Sequence, residues 1–175
     1  MPSDIGGLPT GRRGRRLVGS FEMGAGAGTS MLVSGLDLAA DEFYEIEYYC
    51  AGTAAAAAYD FLWLNGDYVQ ANYRCQTMQT YNSLMTTVGA AAGFYQCYNY
   101  GAAYYRQANL DLRLDGSGRP WLKGQMMEMW TGTGGIDHLV FMGRYTPIAN
   151  VTSIEILNQT VGGIGPGSWL RVYAY

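Results

Sequence analysis

The stretch Phe43-Tyr44-Glu45-Ile46-Glu47-Tyr48-Tyr49-Cys50 decides the fold class of this sequence. Apolar and aromatic residues occupy every second position, and the two glutamates occupy positions between them. A period of two residues is typical of an antiparallel strand with one face in the core and the other in solvent. The predicted inward face consists of Tyr44, Ile46, Tyr48 and Cys50.

The same alternation recurs along the chain and is interrupted by turn residues. The alternating run that contains Leu110 and Leu112 stops at Asp115-Gly116, a hairpin signal because these residue types accept a positive φ. Asn65-Gly66 carries the same signal after Tyr59–Trp63, so Tyr68–Cys75 is predicted to return as the partner strand. Further strands are predicted at Arg16–Met23, Ser30–Leu36, Trp121–Trp130, His138–Tyr145, Val151–Leu157 and Trp169–Tyr175.

Only two stretches have helical propensity, residues 51–58 and 86–93. Both lack a cap and a periodic apolar face, so we interpret them as loops or short turns. Nothing resembles an alternation of strands and helices, which argues against a Rossmann-type parallel sheet. Nine or ten short strands separated by glycine-rich turns predict an all-β fold, an antiparallel β-sandwich of the jelly-roll type.

Composition indicates how this sandwich behaves. The 175 residues suit one domain; 49% are hydrophobic and only 14% are charged, against about a quarter in typical proteins. No run of about 20 apolar residues predicts a membrane-spanning helix. Because soluble monomers rarely expose large apolar patches, so low a charge content predicts association with copies of the chain or with neighbouring proteins.

The charges are unevenly distributed between residues 1–16 and the predicted domain, residues 17–175. Four arginines and one aspartate give the first segment about +3, which leaves -6 of the total of -3 for the remainder. A basic arm on an acidic body predicts binding to an acidic surface, with a solvated tail as the alternative. Nucleic acid is not expected, since the body is not basic. The candidate partner-binding residues of the arm are Arg12, Arg13, Arg15 and Arg16.

Catalytic patterns are weak. His138 is the single histidine, the three cysteines form no CxxC pair, and no GxSxG motif occurs, so no metal site, cofactor or activated nucleophile is predicted. Carboxylate pairs such as Glu45 with Glu47 fit a sandwich glycosidase, but every amphipathic strand places acids in this way. We therefore expect a protein that is not an enzyme, whose cysteines serve as small hydrophobic residues.

Tyrosines crowd the region around residue 100. Alternation cannot bury all of them on one face, and tyrosine and arginine are enriched where a surface is covered by a partner. Three roles remain open for these tyrosines: core packing, a protein–protein interface and a platform for a glycan. Met126, Met127 and Met129 suit an adaptable interface in the same way. The candidate partner-binding residues here are Tyr98, Tyr100, Tyr104, Tyr105 and Arg106.

Several short motifs occur together in residues 30–175. They include Leu64-Asn65-Gly66-Asp67 followed by Ala71-Asn72-Tyr73, and a terminal strand that begins Gly167-Ser168-Trp169. Leu36-Asp37-Leu38 and Ile154-Glu155-Ile156 accompany them. Together they resemble the small jelly-roll modules of tailed-bacteriophage virion proteins.

This resemblance implies a structural role without catalytic residues. The expected protein is a capsid decoration (cement) protein that forms a homo-oligomer, commonly a trimer, and binds the major capsid protein or other virion proteins. Its location would be the virion, assembled in the host cytoplasm. The alternative is a tail- or fibre-associated module that binds a host receptor or glycan.

Overall fold

A computed structural model of the chain describes residues 14–53, 58–81, 84–90, 97–99, 104–130 and 136–175. Twelve strands and two short helical turns are found there. The strands are β1 (Arg16–Glu22), β2 (Ser30–Ser34), β3 (Phe43–Ala51), β4 (Ala58–Leu64), β5 (Tyr73–Tyr81), β6 (Leu84–Ala90), β7 (Cys97–Asn99), β8 (Tyr104–Leu114), β9 (Pro120–Trp130), β10 (Ile136–Tyr145), β11 (Ser153–Asn158) and β12 (Trp169–Ala174). The helical turns are α1 (Leu38–Asp41) and a 3₁₀ turn at Gln70–Asn72.

The strands form two antiparallel sheets. The larger has the order β1-β12-β3-β8-β9-β10-β5-β6, and the smaller has the order β2-β11-β4-β7. The first strand, β1, pairs with the last, β12, in the larger sheet, and β2 pairs with β11 in the smaller sheet. The chain therefore crosses from one sheet to the other between β1 and β2 and again between β11 and β12. This is the arrangement of a jelly roll, which confirms the predicted all-β sandwich.

The larger sheet has two parts. Strands β1, β12, β3 and β8 complete the jelly roll, and we call them the jelly-roll half. Strands β9, β10, β5 and β6 continue the same sheet, and we call them the extension half. They arise from two excursions of the chain, one between β4 and β7 and one between β8 and β11, and both add to the same edge of the jelly roll.

The core lies between the sheets. In β3 the predicted inward residues Tyr44, Ile46 and Tyr48 are fully buried, and the glutamates between them face outward. From the smaller sheet, Ile154 and Ile156 of β11 close the core against them. The extension half contributes its own inward residues to the same core, Leu122, Met126, Leu139, Phe141 and Tyr145.

One predicted hairpin is wrong. Asn65 and Gly66 have the expected positive φ values of 56° and 65°, but β4 lies in the smaller sheet and β5 in the larger. The Asn65 side chain accepts the Thr152 N–H at 2.7 Å and donates to the Asn150 carbonyl at 2.7 Å. These bonds hold the turn against the segment before β11, so the chain leaves towards the other sheet instead of folding back.

Asp67 connects this turn to the extension half. Its carboxylate accepts hydrogen bonds from the Tyr145 hydroxyl at 2.6 Å, the Asn72 amide at 2.7 Å and the Val69 N–H at 2.9 Å. Although burial alone would raise the pKa of Asp67, these hydrogen bonds outweigh it and hold the pKa below its usual value. The Tyr73 hydroxyl donates to the Asp67 carbonyl at 2.6 Å, so the last residue of β10 and the first residue of β5 both contact this turn.

The other differences from the predictions are local. The turn at Asp115 joins β8 to β9 as predicted, and its carboxylate accepts the N–H groups of Ser117 and Arg119. Helix α1 was missed because one turn capped by Asp37 has no periodic signal. Residues 84–90 form β6, so the interpretation of 86–93 as a loop is wrong over Thr86–Ala90; an edge strand needs only one partner, here β5.

Candidate functional site

The outer face of the larger sheet carries the most exposed apolar surface among the described residues. The described part of the chain exposes thirteen large hydrophobic side chains, and eight of them project from this face. They are Leu17, Met78, Tyr105, Met127, Met129, Ile136, Val140 and Met142. All except Leu17 lie on β8 and the three strands that follow it across the sheet.

Strand register makes these side chains neighbours. Tyr105 pairs with Met129, and Met129 pairs with Ile136. We call Tyr105, Met127, Met129 and Ile136 the apolar rim. Further along the strands, Val140 pairs with Met78. Side chains on directly opposite strand positions lie about 5 Å apart and diagonal neighbours about 7–8 Å. Met127 pairs with His138 and is therefore diagonal to Val140, which links the rim and the Val140–Met78 pair into one patch.

A groove of about 560 Å³ crosses the face beside the apolar rim. Met78, Val140 and Met142 supply its apolar lining, and Asn109, Gln125 and Lys123 are among its polar residues. Its volume lies within the range of about 300–1,000 Å³ that small-molecule sites occupy. We call this feature the outer groove.

Gly124 fixes the floor of the outer groove. A Cβ added to Gly124 would point inward and lie 2.4 Å from the Asn109 carbonyl oxygen and 2.9 Å from the Leu110 Cα. Real Cβ atoms do not approach backbone so closely, which makes this position glycine-specific. The close approach joins β8 of the jelly-roll half to β9 of the extension half.

The outer face of the jelly-roll half is charged and pairs its charges internally. Arg15 forms ion pairs with Glu45, at 3.0 Å, and with Glu47, and its guanidinium lies 3.6 Å from the centre of the Tyr173 ring. Tyr175 donates a hydrogen bond to Glu45. These contacts leave the acidic residues of β3 matched within the chain.

The predicted basic arm is only partly described. Arg12 and Arg13 lie outside the described residues, so their role stays a prediction. Arg16 is the first residue of β1 and forms an ion pair with Asp41 at 2.9 Å. Both described arginines of the arm, Arg15 and Arg16, therefore contact acids of their own domain, where the sequence predicted an acidic partner.

The predicted tyrosine cluster divides between surface and core. Tyr105 is 39% exposed and belongs to the apolar rim. Tyr104 and Arg106 are buried, at 8% and 1% exposure, so their prediction as surface contacts is wrong: strand alternation places them on the inward face of β8. Tyr98 lies in β7, where its backbone pairs with Tyr59; its side chain and all of Tyr100 lie outside the described residues.

Arg106 instead takes part in a buried charge cluster between the sheets. Its guanidinium contacts Asp60 of β4, and its Nε lies 3.2 Å from Glu128 of β9. Asn158 donates to Asp60 at 2.6 Å. Because each of these side chains is at most 2% exposed, the cluster links the smaller sheet to both halves of the larger one and offers nothing to a partner.

The outer face of the smaller sheet carries an aromatic cluster. Phe61 lies 6.0 Å from Tyr59 and 5.7 Å from Trp63, measured between ring centres, and Tyr68 packs edge-on against Trp63 at 5.6 Å. The Tyr68 hydroxyl donates to Glu155 at 2.7 Å, and this bond raises the pKa of Tyr68. The buried Trp63 Nε1 has no hydrogen-bond acceptor among the residues that the structure describes.

The remaining chemistry-bearing residues form no centre in the described part of the chain. No group of three His, Cys, Asp or Glu side chains is arranged there to hold a metal. His138 faces outward with its Nε2 3.4 Å from the Gln125 side-chain oxygen. Burial raises the pKa of the Cys50 and Cys75 thiols, which keeps them protonated. No helix of the described residues has the length and apolarity needed to cross a membrane.

Sequence reasoning found part of this surface. Met127, Met129 and Tyr105 were singled out, and Met126 was grouped with them although it faces the core. Met78, Val140 and Met142 were missed, because they are single outward residues spread over β5 and β10, and in β10 Val140 and Met142 alternate with the equally apolar, buried Leu139 and Phe141. Only the order of the strands in the sheet brings them together, and the sequence carries no direct signal of that order.

Comparison with known proteins adds little. No protein-family model matches the chain, and no curated protein is significantly similar to it in sequence. A solved structure of a protein of unknown function from Shewanella oneidensis MR-1 aligns over 93% of this chain and 76% of its own, with 10% identity and a TM-score of 0.20. Similarity at this level carries no argument about fold or function.

Proposed function

We propose that the chain is a non-enzymatic structural protein of a bacteriophage virion, a capsid decoration protein that oligomerises and stabilises the shell. The observation that carries this proposal is the contiguous apolar patch on the outer face of the larger sheet. Exposed patches of this kind, rimmed by polar residues, are typical of interaction surfaces. The resemblance of the turn and terminal-strand motifs to phage jelly-roll modules supplies the virion as the setting.

The patch suits repeated contacts of modest strength. Its side chains are about half exposed, and covering each one would contribute about 1 kcal/mol. Methionine adapts its shape to a partner, whereas the two-layer sandwich beneath it is stiff. In a symmetric particle such contacts recur many times, so avidity builds without a high affinity for each contact. The major capsid protein is the proposed partner, and a homotrimer remains the expectation from the resemblance.

The basic arm would strengthen binding to an acidic shell. Since Arg15 and Arg16 are matched within the domain, Arg12 and Arg13 are the arginines proposed to form charge-assisted contacts with the neighbour. A chain that lacks residues 1–13 is then expected to bind empty heads more weakly at low salt and almost equally at high salt.

Particle labelling tests the proposed function. Antibodies against the purified chain are expected to label intact particles of the virus that encodes it, at regular positions on the head. Labelling confined to the tail would favour the second candidate below. Absence of the chain from purified particles, with abundant chain in the soluble fraction of infected cells, would overturn a structural role altogether.

The aromatic cluster on the smaller sheet favours a second candidate, a tail- or fibre-associated module that binds a host glycan. Aromatic rings stack on the apolar faces of sugars, and Tyr68 exposes 54% of its surface at this cluster. Selective binding on a glycan array that is lost in Tyr68→Ala would support this candidate. Equal binding by Tyr68→Ala and the unmodified chain would remove the cluster from consideration.

A further inference from the structure

The apolar rim and the outer groove lie side by side on one face. The rim occupies the end of the face nearest Ile136, and the groove occupies the positions nearest Met142. On β10, Ile136 and His138 belong to the rim side, and Val140 and Met142 belong to the groove side. The boundary between the two crosses the strands between His138 and Val140.

We propose that this face binds the same face of a second copy of the chain, with a two-fold axis that runs across the strands along that boundary. Rotation by 180° about such an axis lays each rim over the groove of the other copy. Because the contact is isologous, each residue pair occurs twice. The rotation places Ile136 of one copy opposite Met142 of the other. This inference rests on the proposed function, and it assigns the face to a two-fold pair of copies, where the resemblance implies a trimer, and to a second copy instead of the major capsid protein.

The size of the face is sufficient for a stable pair. The six strands from β12 to β5 have six to eleven residues each, and with about 3.3 Å per residue and about 4.8 Å between strands they give a face of about 890 Å². Each partner in a standard protein interface buries about 800 Å². Two sheets that pack face to face in this way also match the known geometry of sandwich layers.

The charges of the face are compatible with this rotation. It places Lys123 opposite Met129, and Asp111 opposite Tyr105, whose hydroxyl group would face a carboxylate. It places Glu47 opposite the ring of Tyr49. Along these rows no charge faces a like charge. Since like charges across an interface cost several kcal/mol, their separation favours a second copy as the occupant.

A complementary pair of variants tests the proposal in the full 175-residue chain. Ile136→Lys and Met142→Glu each place a charge in an apolar contact, so each alone is expected to sediment as a monomer under conditions where the unmodified chain is a dimer. Mixed one to one, the variants are expected to re-form a dimer, because the introduced lysine of one chain then faces the introduced glutamate of the other. Leu32→Lys, at an exposed apolar position on the outer face of the smaller sheet, is the matched control and should remain dimeric.

Each other outcome contradicts the proposal in a recognisable way. Single variants that remain dimeric place the contact elsewhere, and a mixture that stays monomeric excludes the opposition of residues 136 and 142. An unmodified chain that is monomeric at all concentrations but labels particles, and loses labelling in Ile136→Lys, identifies a shell protein as the occupant. In that case the inference fails and the proposed function stands. A dimer that is absent from particles gives the reverse result.

Discussion

The two halves of the larger sheet follow the same strand alternation but differ in what their outer faces carry. On the jelly-roll half, Arg15, Glu45 and Glu47 pair with one another. On the extension half, Met127, Met129, Ile136, Val140 and Met142 have no such cover within the described residues. Alternation alone therefore does not distinguish a surface whose side chains are paired within the chain from a surface that binds a partner. The difference lies in whether the outward residues find partners in their own chain.

The largest effect is expected at the link between the halves. Arg106→Leu would leave Asp60 and Glu128 buried without their cation, and the free energy of unfolding should fall by about 3–5 kcal/mol. Denaturant titration measures this. Arg113→Leu, on the exposed face of the same strand, is the control and should change stability by less than about 1 kcal/mol. Similar losses in both variants would show that the buried cluster does not join the halves.

The contact between β8 and β9, where the two halves meet, provides the next test. Gly124→Ala should lower the free energy of unfolding by about 1–3 kcal/mol, because the new Cβ would collide with the β8 backbone. In the turn between the same strands, Gly116 has open space at its Cβ position and no positive φ. Gly116→Ala should therefore be close to neutral, and thermal unfolding compares the two. An equally mild Gly124→Ala would mean that β9 moves freely away from β8.

The turn that anchors the extension half predicts a dependence on pH. The folded-state pKa of Asp67 is below its usual value, so its contribution is present at neutral pH and is lost as the pH falls through that folded-state pKa. Asp67→Asn should lower stability by about 1–2 kcal/mol at about pH 7, and the gap from the unmodified chain should close in acid. Tyr145→Phe should raise the pKa of Asp67 towards its ordinary value, as measured by NMR titration. A gap that stays constant from neutral pH into acid would contradict this.

The smallest effect on stability is expected on the jelly-roll half. Arg15→Ala removes partly exposed ion pairs, which contribute at most about 1 kcal/mol at low salt, and high salt should reduce the loss further. Self-association should weaken far less than in Ile136→Lys, since Arg15 reaches the proposed interface only through its partners Glu45 and Glu47. Complete loss of the dimer in Arg15→Ala would instead place the main contact on the jelly-roll half.

The sequence was sufficient to predict much of the fold because alternation is a local property. Leu110 and Leu112 are buried as predicted, and the Asp115 turn closes its hairpin. Asn65-Gly66 shows where local information ends: the turn chemistry was correct, but bonds from Asn65 to residues far along the chain decide which sheet the chain enters. Arg106 shows the same limit. Its partners, Asp60 and Glu128, become neighbours only when β4, β8 and β9 meet.

The pairing of β1 with β12 also has a mechanical consequence. Arg16 lies opposite Ala174, so the two ends of the domain leave the sheet at one corner. A pulling force applied through these ends would break the hydrogen bonds between β1 and β12 one after another. It would not load all of these bonds together in shear. A chain tethered in this way would yield first at β1, while the outer face of the extension half, several strands away, would keep its shape.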